Sequence, residues 1–215
     1  MAVEAPLRAS ARTPHGAFQA EWFRLVRQSH IFASTVREIL ELKLLHQASP
    51  VSLTLSQLHL LKLMCLNGEH QVGEVADFLG VSPPAATKNI DKLEALNLVA
   101  RAPSRGDRRA TLLSVSPKGR ALVRRYERLK EARLSPVLER FRPEEVEQLS
   151  GLLERFSLLL LEKELAGGDG ACLRCDAYLQ SGCPVGRLRG GCPYQTTRRS
   201  RAAAAPRPDA GTGLS

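Results

Sequence analysis

The residues whose type and spacing come closest to dedicated chemistry are four cysteines near the C-terminal end. Cys172, Cys175, Cys183 and Cys192 form the pattern Cys-x2-Cys-x7-Cys-x8-Cys in a glycine-rich stretch. Thiolates are soft ligands, and glycine lets a short loop wrap closely enough for four of them to surround one metal centre. An iron–sulfur cluster of the 4Fe–4S type and a tetrahedral structural zinc ion both suit such a set. Three features favour the cluster. A zinc ribbon supplies two Cys-x2-Cys knuckles, whereas only one is present. The two isolated cysteines are each followed by proline, Cys183-Pro184 and Cys192-Pro193, a step common around clusters. Arg174, Arg187 and Arg189 offset the negative charge of a thiolate-bound cluster. Zinc remains the alternative, and metal-free thiol switching a third. Cys65 sits apart and reads as a small core residue. No nucleophile–base pairing and no phosphate-binding glycine loop is visible, so the chain does not read as an enzyme.

A second concentration is of charge. The formal net charge is +9, and between Arg101 and Arg125 lie Arg101, Arg105, Arg108, Arg109, Lys118, Arg120, Arg124 and Arg125, with Asp107 as the acid among them. Such an excess suits a polyanionic partner, although charge alone does not separate nucleic acid from an anionic membrane surface. Residues Met1 to Gly16 contain no apolar stretch fit for a signal core, and the longest aliphatic run is Leu158 to Leu161. A spanning helix needs about 20 apolar residues. No membrane association and a cytoplasmic location are expected. There, clustered cysteines point to metal or redox chemistry rather than to disulfides.

The elements that must position these groups are mostly helical. Residues 1–16 read as a flexible arm. A long amphipathic helix is expected from Ala17 to Gln47, with Trp22, Leu25, Val26, Phe32, Val36, Ile39, Leu40 and Leu44 at helical spacing. Thr54 with Gln57 forms a capping-box signal for the next helix, whose apolar face includes Leu58, Leu61 and Cys65. A short helix is expected from about Gly73 to Leu79, stopped by Gly80. Ser82 then caps a helix with Pro83 at its first position, where the missing N–H costs nothing. That helix turns Ile90, Leu93 and Leu96 inward and ends near Asn97, a residue able to take the left-handed cap conformation. Strands are expected around Leu98 to Ala102 and Ala110 to Val115. Ser116-Pro117 opens a helix reaching about Arg140, and Pro143-Glu144-Glu145 opens another. Residues 166–194 carry the four cysteines, and 195–215 read as a disordered tail.

Helix, short helix, turn, capped helix and hairpin, in that order, make a winged helix-turn-helix: a mainly α fold whose capped helix enters the major groove by its N-terminal end. Over roughly Phe18 to Leu165 the chain resembles the multiple antibiotic resistance regulator (MarR) family. The residues carrying the resemblance are Leu53-Thr54-Leu55-Ser56-Gln57-Leu58, Val75-Ala76-Asp77-Phe78-Leu79-Gly80-Val81-Ser82, Ile90-Asp91-Lys92-Leu93-Glu94 and Leu98-Val99. The most specific are Asp107-Arg108-Arg109 and Leu113-Ser114-Val115-Ser116-Pro117-Lys118-Gly119-Arg120. The resemblance implies a DNA-binding lobe over about 52–116 between dimerisation helices at about 17–48 and 117–165. It implies that Ser82, Pro84, Ala85, Thr87, Lys88 and Lys92 face the groove. It further implies that Asp107 and Arg109 brace the wing, while Arg108 or Arg105 projects at DNA. Pro84 and Ala85 replace polar residues common at those positions, which leaves fewer hydrogen bonds to base edges; Ala85 instead suits a thymine methyl. Asn97 stands where the family has glycine. His30 lies where the family often lines an effector pocket, yet nothing in the sequence points to a particular small molecule.

The expected function is a homodimeric transcription regulator, a repressor by resemblance, acting on double-stranded DNA at a palindromic operator under control of the cysteine-bound centre. A winged-helix protein-interaction module is the alternative class, and an iron–sulfur electron carrier is the third. The four-cysteine segment is the part that the resemblance leaves unexplained.

Overall fold

The computed structural model describes residues 16–103, 111–166 and 184–185. The chain divides between Lys43 and Leu44 into two units. The first holds α1 (Gly16–Thr35), which runs on into a π-helical segment at Val36–Lys43. The sequence periodicity predicts one α-helix across this stretch; the chain stays helical, but over eight residues its winding relaxes from α to the wider π form. Trp22, Phe23, Leu25, Ile31 and Phe32 are all exposed on α1.

The second unit opens with α2 (Leu44–Ala48), whose Leu44, Leu45 and Ala48 are buried. Helix α3 (Leu55–Asn67) begins where the sequence places it. Gln57 N–H donates to Thr54 Oγ1 at 3.3 Å, and Thr54 N–H donates to Gln57 Oε1 at 3.1 Å, so two otherwise orphaned donors are satisfied reciprocally. This helix is enclosed on most sides by β3, α4 and α6, which is why it lacks a single apolar stripe. Leu58, Leu60, Leu61, Leu63 and Met64 are all buried, and so is Lys62. Cys65, expected in the core, is exposed. Burial of part of the residue holds its thiol above the ordinary value, opposed by the positive charges of Arg120 and Arg124.

Beyond α3, a two-residue strand β1 (His70–Gln71) leads into α4 (Val72–Leu79), α5 (Pro83–Ala95), β2 (Val99–Pro103) and β3 (Thr111–Val115). The antiparallel sheet has the order β1-β3-β2, with His70 opposite Leu113 and Val99 opposite Val115. Val75, Phe78, Ala86, Ile90, Leu93, Leu98, Leu113 and Val115 fill the space between this sheet and the helices. Helix α6 (Pro117–Leu138) packs on α2 and α3. There the buried Lys62 ammonium meets Glu127 Oε1 at 2.6 Å and lies 4.9 Å from the Tyr126 ring centroid. A charge with almost no access to water requires such partners. Helix α7 (Pro143–Ala166) leaves Leu149, Leu152, Phe156, Leu159 and Leu160 exposed. Among the described residues no helix is long and apolar enough to cross a membrane.

Candidate nucleic-acid interface

Helix α4, a three-residue turn and α5 form the helix-turn-helix. Gly80 closes α4 in the left-handed conformation at φ 62°, and Val81 N–H returns to the Ala76 carbonyl at 3.1 Å. Most side chains pay a steric penalty in that conformation and glycine does not. The chain then reverses into Ser82, whose extended backbone starts α5 and whose carbonyl accepts the Ala86 N–H at 2.9 Å.

The start of α5 has an unusual inventory of donors. Pro83 and Pro84 occupy its first two positions, so two of the N–H groups that a helix start ordinarily presents do not exist. The Ser82 side chain makes no capping hydrogen bond. Ser82, Pro83, Pro84, Lys88 and Lys92 are exposed and Ala85 and Thr87 are half-buried, while Ala86, Ile90 and Leu93 are buried against the lobe. The α5 residues selected from the sequence thus lie off the buried stripe. Thr87 spends its hydroxyl proton on the Pro83 carbonyl at 3.0 Å. What α5 offers outward is Ser82 with an apolar tip, followed by Lys88 and Lys92 with Asp91 and Glu94 among them.

Two contacts that the sequence reading missed hold this helix in place. Asn89 donates to the Ala85 carbonyl at 3.1 Å and accepts from Gln57 Nε2 at 3.2 Å, so the α3 capping box is wired to the middle of α5. On the wing side, the Arg101 guanidinium in β2 pairs with Asp91 and, at 3.3 Å, with Glu94. Arg101, the first member of the basic run that ends at Arg125, is committed to two carboxylates on α5. Lys118 is engaged as well, its ammonium donating to the Leu96 carbonyl at 3.0 Å.

The far end of α5 explains the Ser116-Pro117-Lys118-Gly119 motif. Asn97 takes the left-handed conformation at φ 57°, as expected. Ser116 Oγ donates to the Asn97 carbonyl at 2.7 Å and accepts the Gly119 N–H at 3.0 Å, capping α6 onto the end of α5. Gly119 allows the approach: a Cβ there would overlap the Leu98 carbonyl oxygen and come within 2.8 Å of Val115 Cγ2.

Strands β2 and β3 pair from Val99↔Val115 to Pro103↔Thr111 and form the stem of the wing. Its tip, with Arg105, Asp107, Arg108 and Arg109, lies outside the described residues, as do Cys172, Cys175, Cys183 and Cys192. Among the described residues no group of three or more His, Cys, Asp or Glu is placed to hold a metal ion. His30 is exposed on α1.

Residues 51–110 match the MarR family. The match spans the helix-turn-helix and most of the wing. The fold agrees over a longer stretch. The YusO protein of Bacillus subtilis is 23% identical, with a TM-score of 0.54 over 66% of this chain and 97% of that one. A MarR family protein from Bacillus stearothermophilus is 20% identical, with a TM-score of 0.54 over 69% of this chain and 99% of that one. FabT of Streptococcus pneumoniae, solved in complex with DNA, is 20% identical, with a TM-score of 0.56 over 66% of this chain and 98% of that one. The lobe therefore shares the fold of these solved structures, and its residues 51–110 are similar to the MarR family.

Proposed function

We propose that this chain is a sequence-specific DNA-binding transcription regulator that acts as a homodimer on a palindromic operator. The observation that carries the reading is the free N-terminal end of α5, lined by Ser82, Pro84 and Ala85 and followed by Lys88 and Lys92, beside a β-hairpin stem. A helix end of this kind reads base edges, while a wing reaches the neighbouring backbone. Because Pro84 and Ala85 bring no polar side chain to the groove, their contribution to specificity is shape and methyl contact, with Ala85 against a thymine. Lys88, Lys92 and the wing residues Arg105 and Arg108, on a wing that Asp107 and Arg109 would brace, supply the phosphate attraction, to which the charge of Arg109 adds. The exposed apolar residues of α1 and α7 are the dimer faces. A two-fold pair sets the reading helices about 34 Å apart, one DNA turn.

The donor set of Cys172, Cys175, Cys183 and Cys192, four thiolates, suits an iron–sulfur cluster and also tetrahedral zinc. When bound, a 4Fe–4S cluster would supply sensitivity to oxidants and to iron supply. Its ligands begin six residues after the end of α7, Ala166, so occupancy would be felt first at that dimer face. Repression is the mode in which such a regulator would act.

The test is selection of duplex DNA from a randomised pool by the full chain purified without oxygen, with iron, sulfide and zinc measured on the same sample. A palindromic site, bound with an affinity that falls steeply with salt, supports the reading. Binding to an acidic protein but to no duplex would favour the interaction-module alternative. A colourless, zinc-loaded protein would replace the cluster by zinc. Equal operator affinity with and without the metal would leave it a stabilising role only.

A further inference from the structure

Helix α5 carries negative as well as positive charge, and the negative charge is not left open. Asp91 and Glu94 are both substantially exposed on α5, and Asp91 lies one turn from Lys88 and next to Lys92. Uncompensated carboxylates there would repel the phosphates that the lysines attract. Arg101, from the wing strand β2, reaches both: one guanidinium nitrogen pairs with Asp91 Oδ1 and the other stands 3.3 Å from Glu94 Oε2. Its planar fork serves two acceptors at once, which a lysine ammonium does less well.

We propose that Arg101 is a positioning residue for DNA reading, which clamps the wing stem to α5 and cancels two carboxylates beside the groove-facing lysines without itself touching DNA. The proposal rests on the DNA-binding reading above. It makes two statements that a direct phosphate contact would not. Loss of Arg101 acts through Asp91 and Glu94, so removing their charge removes the effect. Loss of the clamp also frees the wing stem, so discrimination between sequences falls along with affinity.

A double-mutant cycle on the full chain tests both. The probes are the duplex that the wild-type chain selects from a randomised pool and a scrambled duplex of the same length. Arg101→Met is expected to weaken binding to the selected duplex about tenfold, and the same change in an Asp91→Asn/Glu94→Gln background to weaken it less than about twofold. The carboxylate-free background keeps Arg101 but loses the clamp, so it is expected to bind the scrambled duplex more tightly and to discriminate less. Circular-dichroism melts accompany every variant. Should Arg101→Met not fold, Arg101→Lys run through both backgrounds carries the same cycle, with a smaller loss in the first.

Equal losses in the two backgrounds would mean that Arg101 meets phosphate directly, and would overturn the proposal. Unchanged discrimination in the carboxylate-free variant would overturn the clamp. If the wild-type chain selects no duplex at all, the regulator reading fails first, and the role of Arg101 in DNA reading goes with it.

Discussion

The winged-helix lobe and the long helices α1 and α7 draw on the same aliphatic residues and treat them in opposite ways. In the lobe Leu58, Phe78, Ile90, Leu93 and Leu113 are buried to the last few square ångströms within one chain. On α1 and α7, Phe23 is 64% exposed and Leu152, Leu159 and Leu160 are each 60% exposed or more. The lobe completes its core alone, whereas α1 and α7 each leave apolar residues uncovered, the residues proposed above as dimer faces. On the proposed dimer reading, the difference separates two kinds of stability, one intrinsic and one that depends on concentration.

The sharpest way to break the comparison is to damage each side and look for opposite signatures. Ile90→Ala empties a closed core and is expected to cost about 2–5 kcal/mol. Chemical denaturation should show that loss at every protein concentration. Leu152→Glu combined with Leu159→Glu is expected to weaken self-association by at least about a hundredfold, since each buried leucine contributes about 1.5–3 kcal/mol. Sedimentation would show monomer, and the lobe's own near-ultraviolet dichroism should survive. A variant that stayed dimeric would place the dimer face elsewhere. Thr54→Ala removes one arm of the capping box and is expected to cost about 1 kcal/mol, read as a lower melting temperature for the lobe alone. The smallest effect sits at the start of α7. The Arg142 guanidinium and backbone N–H both donate to Glu145, which holds its carboxyl below the ordinary value. A carboxyl lowered by folding stabilises above its ordinary value, and that contribution fades as pH falls through the lowered one. Glu145→Gln should therefore melt slightly earlier than wild type at neutral pH and at the same temperature in strong acid.

The two regions also differ in how far the sequence announces them. The lobe's boundaries are written in short-range chemistry: Thr54 with Gln57, Ser82 before Pro83, Gly80 and Asn97 in left-handed caps, Ser116 before Pro117. Each is a residue choice or contact confined to a few positions, so its signal survives in the linear string, even where, as at Ser82, the side chain makes no capping bond. What stayed hidden is the pairing across distance. Gln57 and Asn89 are 32 positions apart, and Arg101 meets Asp91 and Glu94 only because β2 folds back along α5. Lys62 is buried, because α3 is covered on most sides and Glu127 arrives from α6, a pairing that its own position in the string does not announce. The same enclosure misleads about Cys65, since no apolar stripe marks which face of α3 is open. In the first unit the hydrophobic spacing predicts a helix and a helix forms, but spacing alone did not distinguish α from π winding over Val36–Lys43.

The seam at Gly119 carries a mechanical consequence. With no side chain between them, the root of the hairpin and the first turn of α6 are fused into one stiff piece, pinned by Ser116 and Lys118. Helix α6 has 22 residues, about 33 Å at 1.5 Å per residue, with Pro136 only in its last turn. Such a rod is a lever whose short arm is the wing. A tilt of about 5° about that root would carry the far end roughly 3 Å sideways over the same rise. Push and recoil would pass along it in either direction with little lost to bending.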